Sequence, residues 1–268
     1  MTAPAFQHEA MATTFSVVVA GRPPDYARQA AAAAFRELDR LESELSRYAD
    51  SSDIGRANRL AEGESLVLGE DCLRCLLTAA ELSALTGRAF DPAYATARPA
   101  GTGPDEPLFA LDPVNHTLTS LTPRLHLDLG AIGKGYALDR MGELLREWDI
   151  ADACLQGGGS SALALGAPAG EAGWPIAIGD RVVALSNRAA SGSGLAVQGE
   201  HIADPRTRAV AARARRVWAL APTAAASDAV STAFFVMRDD EVAAFCQAHP
   251  EYTAVFTRND GSTGWIGS

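Results

Sequence analysis

Leu125-His126-Leu127-Asp128-Leu129-Gly130-Ala131-Ile132-Gly133-Lys134-Gly135-Tyr136 is the stretch on which the fold turns. The alternation from Leu125 to Leu129 predicts a strand, the glycines predict a tight loop, and Met141, Leu144, Leu145 and Trp148 then recur at helical spacing. Strand, glycine loop and helix in that order let backbone N–H groups approach an anion at a helix N-terminus. A purely structural turn is the bland reading of the same glycines. The spacing does not match G-x-x-x-x-G-K-[ST], because Gly135 stands where the metal-binding hydroxyl would be, and it does not match G-x-G-x-x-G. Lys134 is nonetheless unusual: of 23 basic residues it is the one lysine, the others all being arginine. An ammonium is a compact point charge that a guanidinium does not replace, so its retention between two glycines points to charge chemistry there.

Outward on the N-terminal side, Met11 to Ala20 alternates and predicts a strand, ended by Gly21-Arg22-Pro23-Pro24. A helix capped by Asp25 is expected to run to Tyr48, with Phe35, Leu38, Leu41, Leu45 and Tyr48 on one face and Ala30 to Ala34 allowing close packing. Asp50 to Asp53 and the Asn58 region read as turns, Ser65 to Leu68 as a short strand, and 71–86 as a helix stopped by Gly87. Residues 92–107 carry Pro92, Pro99, Pro104 and Pro107 and predict a long surface loop or lid.

On the C-terminal side, strands are expected at Ala153 to Leu155, Leu163 to Leu165, Pro175 to Ile178, Val182 to Leu185 and Val217 to Ala221. Helices are expected over 224–238 and from an Asp239 cap to His249. Tyr252 to Thr257, the Asn259-Asp260-Gly261 turn and Trp265-Ile266 form a closing hairpin. Ser160, Ser191 and Ser193 read as turn residues, there being no Gly-x-Ser-x-Gly elbow to make a serine nucleophile. The pattern is α+β, a mixed α/β arrangement, in a single domain over 1–268 or two tightly packed subdomains.

Composition narrows the function. The chain has 268 residues, 47% of them hydrophobic and 21% charged, with no apolar run long enough for a membrane span. Its net charge of −10 repels a phosphate backbone, which argues against nucleic acid as a partner. The first ten residues carry neither a basic n-region nor an apolar h-region, so a cytoplasmic location is expected. Cys72 and Cys75 have C-x-x-C spacing but lie in a helical run with no second pair, and read as two core cysteines.

Two further constellations carry chemistry. Asp228 and Thr232 are four apart on a predicted helix and share a face, a pair of hard oxygen donors that suits Mg²⁺. The bland alternative is a helix-start Asp and a core Thr bonded to its own backbone. His201 lies between Glu200 and an Asp-Pro turn, where an imidazole titrating near neutrality can act as a base, or is simply a loop histidine. His8, His116, His126 and His249 have no comparable surroundings.

These segments together resemble the ApbE family, the FAD:protein FMN transferases. Met11-Ala12-Thr13-Thr14-Phe15 looks like the family's opening M-G-T-T strand, and Leu45-Ser46-Arg47-Tyr48 with Asp53-Ile54-Gly55-Arg56-Ala57-Asn58 resembles its S-x-Y-x-x-x-S-x-I-x-x-x-N segment. Ala89-Phe90-Asp91-Pro92 is similar to F-D-P, Asp128 to Tyr136 with Asp139 to D-L-G-[GA]-I-A-K-G-Y-x-x-D, His201 to Thr207 to H-I-x-D-P-R-T, and Asp228 to Ala233 to D-A-[LV]-[SA]-T-A. Six motifs in the family's order make the resemblance specific.

The resemblance implies an ApbE-like fold, a central mostly antiparallel sheet with packed helices. It also implies FAD as substrate, Mg²⁺ as cofactor, and transfer of FMN to a threonine of an acceptor flavoprotein with release of AMP. It would assign the metal to Asp228, Thr232 and the Ala131 carbonyl, FAD contacts to Met11, Tyr48, Ala89, Phe90, Asp91, Asp128, Lys134, His201 and Ile202, and catalytic roles to His201 and Lys134. The chain departs from the family where G-G-D becomes Gly158-Gly159-Ser160 and T-S-G-x-Y-x-R becomes Gly192 to Gln198. It departs again where Ala93-Tyr94-Ala95-Thr96 follows Pro92. These replacements leave open a non-catalytic FAD-binding relative, or a Mg²⁺-dependent FAD pyrophosphatase giving FMN and AMP.

Overall fold

In the computed structural model, the described residues are 3–98, 101, 103, 106–194, 203–209, 216–257 and 262–267. Eight strands form the main sheet, and every neighbouring pair in it is antiparallel. They are β1 (Ala5–Ala10), β2 (Thr13–Val19), β6 (Ala153–Gly157), β7 (Ser161–Leu165), β10 (Arg188–Ser193), β11 (Arg216–Ala221), β12 (Thr253–Thr257) and β13 (Thr263–Ile266), side by side in that order. A three-stranded sheet holds β3 (Ser65–Val67), β5 (Thr117–Ser120) and β4 (Phe109–Asp112), and a hairpin pairs β8 (Trp174–Ile178) with β9 (Arg181–Leu185).

Six helices are described: α1 (Pro24–Leu45), α2 (Asp53–Ala57), α3 (Glu70–Leu85), α4 (Gly133–Glu147), α5 (Ala224–Val236) and α6 (Asp239–Ala248). Along β2 the period of two sends Phe15, Val17 and Val19 into a core with Leu38 and Leu41 of α1, Met141 of α4 and Phe234 of α5. Val18 points the other way, into a smaller core where Trp174, Ile176 and Ile178 cover Ala164, Trp218 and Val255. The sheet is therefore buried on both faces, with α4 and α5 packed against each other on one of them. Ala27, Ala30, Ala31 and Ala34 are buried where α1 runs past its neighbours, as the alanine run leads one to expect. Cys72 and Cys75 are buried in α3, and burial pushes both thiols well above their ordinary range. Among the described residues no helix is long and apolar enough to cross a membrane.

Several boundaries correct the sequence reading. The expected strand from Met11 to Ala20 is one arm of a hairpin whose other arm, Ala5–Ala10, is a largely exposed edge with little apolar signal. Ala10 pairs with Thr13, so Met11 and Ala12 form the two-residue turn and adopt φ 50° and 56°. Helix α1 starts at Pro24 rather than at an Asp25 cap and ends at Leu45, leaving Tyr48 beyond it and 83% exposed. A short helix, α2, forms where turns were expected, capped by Ser52, whose hydroxyl accepts the Gly55 N–H at 2.8 Å. Of the expected loop 92–107, Ala93 and Thr96 are buried against the body, while Pro99 and Pro104 lie outside the described residues. So does the Asn259-Asp260-Gly261 turn.

The most instructive difference concerns 125–129, which forms no strand and joins no sheet. Side chains replace the neighbouring strand. Leu127 N–H donates to Asn58 Oδ1 at 2.6 Å and the Leu127 carbonyl accepts from Asn58 Nδ2 at 2.9 Å. His126 N–H donates to Thr96 Oγ1 at 2.9 Å, Thr96 Oγ1 donates back to the His126 carbonyl at 3.1 Å, and Asp128 N–H donates to the Pro92 carbonyl at 2.8 Å. These backbone groups are satisfied without a ladder.

Candidate functional site

A cleft of about 500 Å³ opens where α4, α5, the end of α1 and the 89–94 segment meet. Gly135 makes the meeting of the two helices possible: a Cβ there would lie 2.1 Å from the Ala224 carbonyl oxygen. The first two N–H groups of α5 are held from α4 as well, since Asp139 accepts from Ala224 and Ala225, both at 2.8 Å. Burial pushes the Asp139 carboxyl up to about 6, against the lowering effect of those two N–H donors. Asp139 was in the sequence pattern without a role; here it takes the first two N–H groups of α5 from across the junction, beside the N-cap Thr223, which accepts the Ala226 N–H.

That junction sets Asp228, which is 5% exposed, against the start of α4. Its Oδ2 accepts the Gly135 N–H at 2.7 Å, its Oδ1 accepts the Ser161 hydroxyl at 2.6 Å, and Lys134 Nζ lies 3.6 Å from Oδ2. Each carboxylate oxygen thus takes one hydrogen bond and keeps a lone pair. In an uninterrupted helix the Gly135 N–H would bond the Ala131 carbonyl. Given instead to Asp228, it leaves that carbonyl with no backbone donor among the described residues.

Thr232, one turn on, lines the cleft and donates to the Asp228 carbonyl at 3.3 Å, so the back-bonded reading of this threonine holds as well. Ser193 Oγ lies 2.9 Å from Ser231 Oγ and 3.2 Å from Thr232 Oγ1. Ser191 and Ser193 belong to strand β10, not to a turn as their glycine neighbours suggested, whereas Ser160 does sit in a turn. Gly192 tolerates no side chain, for a Cβ would reach 2.8 Å from the Trp218 ring.

The opposite wall is built from Met11, Tyr48, Ala89, Phe90, Asp91 and Asp128. Met11 presents from the hairpin turn, whose two positive φ angles are costly for side-chain residues and mark a backbone held by its surroundings. The Arg47 guanidinium stacks 4.6 Å over the Tyr48 ring and lies 3.5 Å from Asp128, joining two wall residues. Asp128 Oδ1 also accepts the Gly130 N–H at 2.8 Å, and Asp91 Oδ1 accepts the Ala93 N–H at 2.8 Å, so both carboxylates are oriented by their own loops.

Ten of the twelve residues singled out from the sequence therefore line one cleft: Met11, Tyr48, Ala89, Phe90, Asp91, Asp128, Ala131, Lys134, Asp228 and Thr232. His201 and Ile202 lie outside the described residues, although Ala203 and Pro205, next along the chain, line the cleft. Sequence reasoning missed Ser161, Gly135 as the N–H donor to Asp228, and Arg47. Ser161 and Asp228 are 67 residues apart, which leaves no local signal.

The chemistry of the lining defines what it suits. Glu42, Asp91, Asp128 and Asp228 outnumber Arg47 and Lys134, so a polyanionic ligand enters only with added positive charge. Among the described residues no group of three or more His, Cys, Asp or Glu side chains forms a metal cluster. A cation here would rest on the Asp228 carboxylate with the neutral Thr232 hydroxyl and Ala131 carbonyl. That hard-oxygen set fits Mg²⁺, which keeps waters and takes substrate phosphate. Lys134 and the N-terminus of α4 add positive potential at the same place.

No curated protein matches the chain. Among solved structures, the flavin transferase ApbE from Vibrio cholerae superposes with a TM-score of 0.81 at 22% identity, covering 99% of this chain and 97% of that one. The flavinyl transferase ApbE of Pseudomonas stutzeri in its apo form gives 0.84 at 21%, covering 99% and 95%. The ApbE protein of Thermotoga maritima gives 0.80 at 21%, covering 99% and 97%. At such identities these likenesses establish the shared fold. The family model described as the ApbE family matches residues 11–256, nearly the whole length, and the chain belongs to that family.

Proposed function

We propose that this chain is an FAD:protein FMN transferase, moving FMN from FAD to a threonine hydroxyl of an acceptor flavoprotein and releasing AMP. The observation that carries the reading is the convergence on one cleft of the single lysine, the Asp228 and Thr232 pair and the Met11, Tyr48 and 89–91 wall. Ala131, Asp228 and Thr232 would hold Mg²⁺, which when bound supplies neutralising charge at the pyrophosphate.

The reaction forms a phosphoester between the threonine oxygen and the FMN phosphorus and breaks the bond from that phosphorus to the bridging oxygen, which leaves with AMP. Lys134, kept beside Asp228 Oδ2, would stabilise negative charge developing on that leaving oxygen. Gly135 and Ser161 hold the Asp228 carboxylate by two hydrogen bonds, so its orientation is set before substrate arrives. The flat, apolar flavin suits the wall of Met11, Tyr48 and Phe90, and Asp128 and Asp91 would orient its polar edge. Our proposal gives the threonine proton to His201 and a further FAD contact to Ile202. Phosphoryl transfer asks mainly for positioning and charge stabilisation, which such a set supplies.

The test is incubation with FAD, with and without Mg²⁺ and with an acceptor carrying a target threonine, following AMP by chromatography and flavin on the acceptor by in-gel fluorescence. Mg²⁺-dependent AMP with a fluorescent acceptor band is expected; bound but intact FAD in every arm would overturn the reading in favour of a flavin carrier. Ser160 and Gly192, both on the cleft, motivate that flavin-carrier reading; hydrolysis with water as the acceptor is a further alternative. AMP and free FMN without a labelled acceptor would select it.

A further inference from the structure

Arg208 has a φ of 62°, in the left-handed region that costs a side-chain residue conformational energy. Its side chain is exposed, yet both terminal guanidinium nitrogens are engaged. One guanidinium nitrogen donates to the Tyr94 carbonyl at 2.6 Å and another to the Thr96 carbonyl at 2.9 Å. Both acceptors are backbone groups more than a hundred residues away.

The two segments so joined both line the cleft, Asp91 and Tyr94 from one and Ala203 and Pro205 from the other. Arg208 N–H closes back on the Asp204 carbonyl at 2.8 Å, so its unusual φ belongs to a tight turn that aims the side chain outward from the 203–209 segment. On the far side of that turn, Arg206 binds the Asp204 carboxylate and reaches Glu241 of α6 at 3.0 Å. Thr96 passes the connection on by its paired hydrogen bonds with His126, two residues before Asp128, which faces Arg47 and so Tyr48. A continuous set of contacts runs from Arg208 to the far lip of the cleft. Backbone strain in a residue that makes long-range contacts beside a ligand cleft gives ground for a functional hypothesis.

We propose that Arg208 is a positioning residue, a strap that ties the 91–98 wall to the 203–209 wall and sets the opening that receives the flavin nucleotide. This rests on the reading that the cleft takes FAD. It predicts that binding and stability separate in the glycine variant and not in the alanine variant. Arg208→Gly relieves the positive φ while removing both hydrogen bonds; Arg208→Ala removes the bonds without relieving the backbone; Arg208→Lys keeps one point of attachment.

The experiment measures FAD affinity by flavin fluorescence, thermal stability, and amide hydrogen exchange of peptides spanning 91–98, for the full-length wild type and the three variants. Expected are FAD binding about tenfold weaker in Arg208→Gly with a Tm no lower than wild type, and faster exchange at 91–98. Arg208→Ala should show the same binding loss with a lower Tm, and Arg208→Lys should fall between. Unchanged FAD affinity in Arg208→Gly overturns the proposal, as does a loss of affinity matched by a fall in its Tm. If the wild type fails to bind FAD, it is the flavin reading that falls, and exchange alone then decides the strap: unaltered exchange at 91–98 in Arg208→Gly refutes it.

Discussion

Asp71 and Asp228 are equally buried, each about 5% exposed, and each is held by residues of α4. Asp71 meets the Tyr136 hydroxyl at 2.7 Å and Arg140 Nε at 2.8 Å, and is also bound by Arg40 from α1. Burial by itself would push its carboxyl up; the Tyr136 hydroxyl and the two guanidinium groups more than offset this and hold it below the usual carboxylate range. Asp228 instead meets two neutral donors and one ammonium at 3.6 Å, beyond hydrogen-bond distance. Helix α4 thus meets one carboxylate, Asp71 of α3, whose charge is saturated by the fold, and another, Asp228 of α5, whose two hydrogen bonds come from neutral donors. Saturated, the first joins α1, α3 and α4; the second faces a cleft able to take a cation.

The sharpest way to break this comparison is to remove the Asp228 charge. Asp228→Ala should lower Mg²⁺-dependent FAD cleavage by about 10²–10³-fold, read as AMP release, while the far-ultraviolet circular dichroism stays native. Wild-type turnover in that variant would mean that the carboxylate serves only the Gly135 and Ser161 donors.

Gly135→Ala tests the junction that places Asp228. Its methyl group meets the Ala224 backbone, so α4 and α5 must separate, at a cost of about 1–3 kcal/mol visible as a lower urea midpoint. Activity should fall with it, because the N–H that holds Asp228 moves.

Asp71→Asn should cost about 1–2 kcal/mol, discounted because Arg40 is half exposed, and should leave the Mg²⁺ requirement of the folded protein unchanged. Its pH dependence has a definite sign. A carboxyl depressed in the folded state contributes stability that is present above its unfolded value of about 3.9 and is lost as pH falls through the folded value. Wild type should therefore lose more stability than Asp71→Asn between about pH 4.5 and pH 2.5 in parallel urea titrations. Equal slopes would place the acid sensitivity elsewhere.

The smallest effect is expected from Lys134→Arg, which keeps charge but brings a planar fork to a place fitted by an ammonium. FAD cleavage should fall by about tenfold with stability unchanged, and a fully active variant would remove the special role of the one lysine.

What was legible before folding follows the range of the interactions. Asp228 and Thr232 share a face because four residues make about one helical turn, and the glycine stretch from Gly130 does lead into a helix, although Gly133, Lys134 and Gly135 already form its first turn. Leu125 to Leu129 alternates like a strand and is not one, because Asn58 and Thr96 occupy its hydrogen-bonding edges and no local pattern announces a side chain arriving from 69 or 30 residues away. Tyr48 continues the helical spacing of α1 yet lies outside the helix, exposed at the cleft under Arg47, since periodicity does not mark where capping ends a helix.

The sequence by itself determined the chemical inventory and its order along the chain: the single lysine between its two glycines, the Asp228 and Thr232 pair, and the motif segments shared with the ApbE family. Tertiary structure alone decided which of these groups would meet. Asp228 finds the Gly135 N–H across 93 residues, and Arg208 finds Tyr94 and Thr96 across more than a hundred. Such contacts form only when the burial of two large apolar faces brings distant segments together, and that driving force is non-directional and leaves no mark in the local pattern of residues it joins.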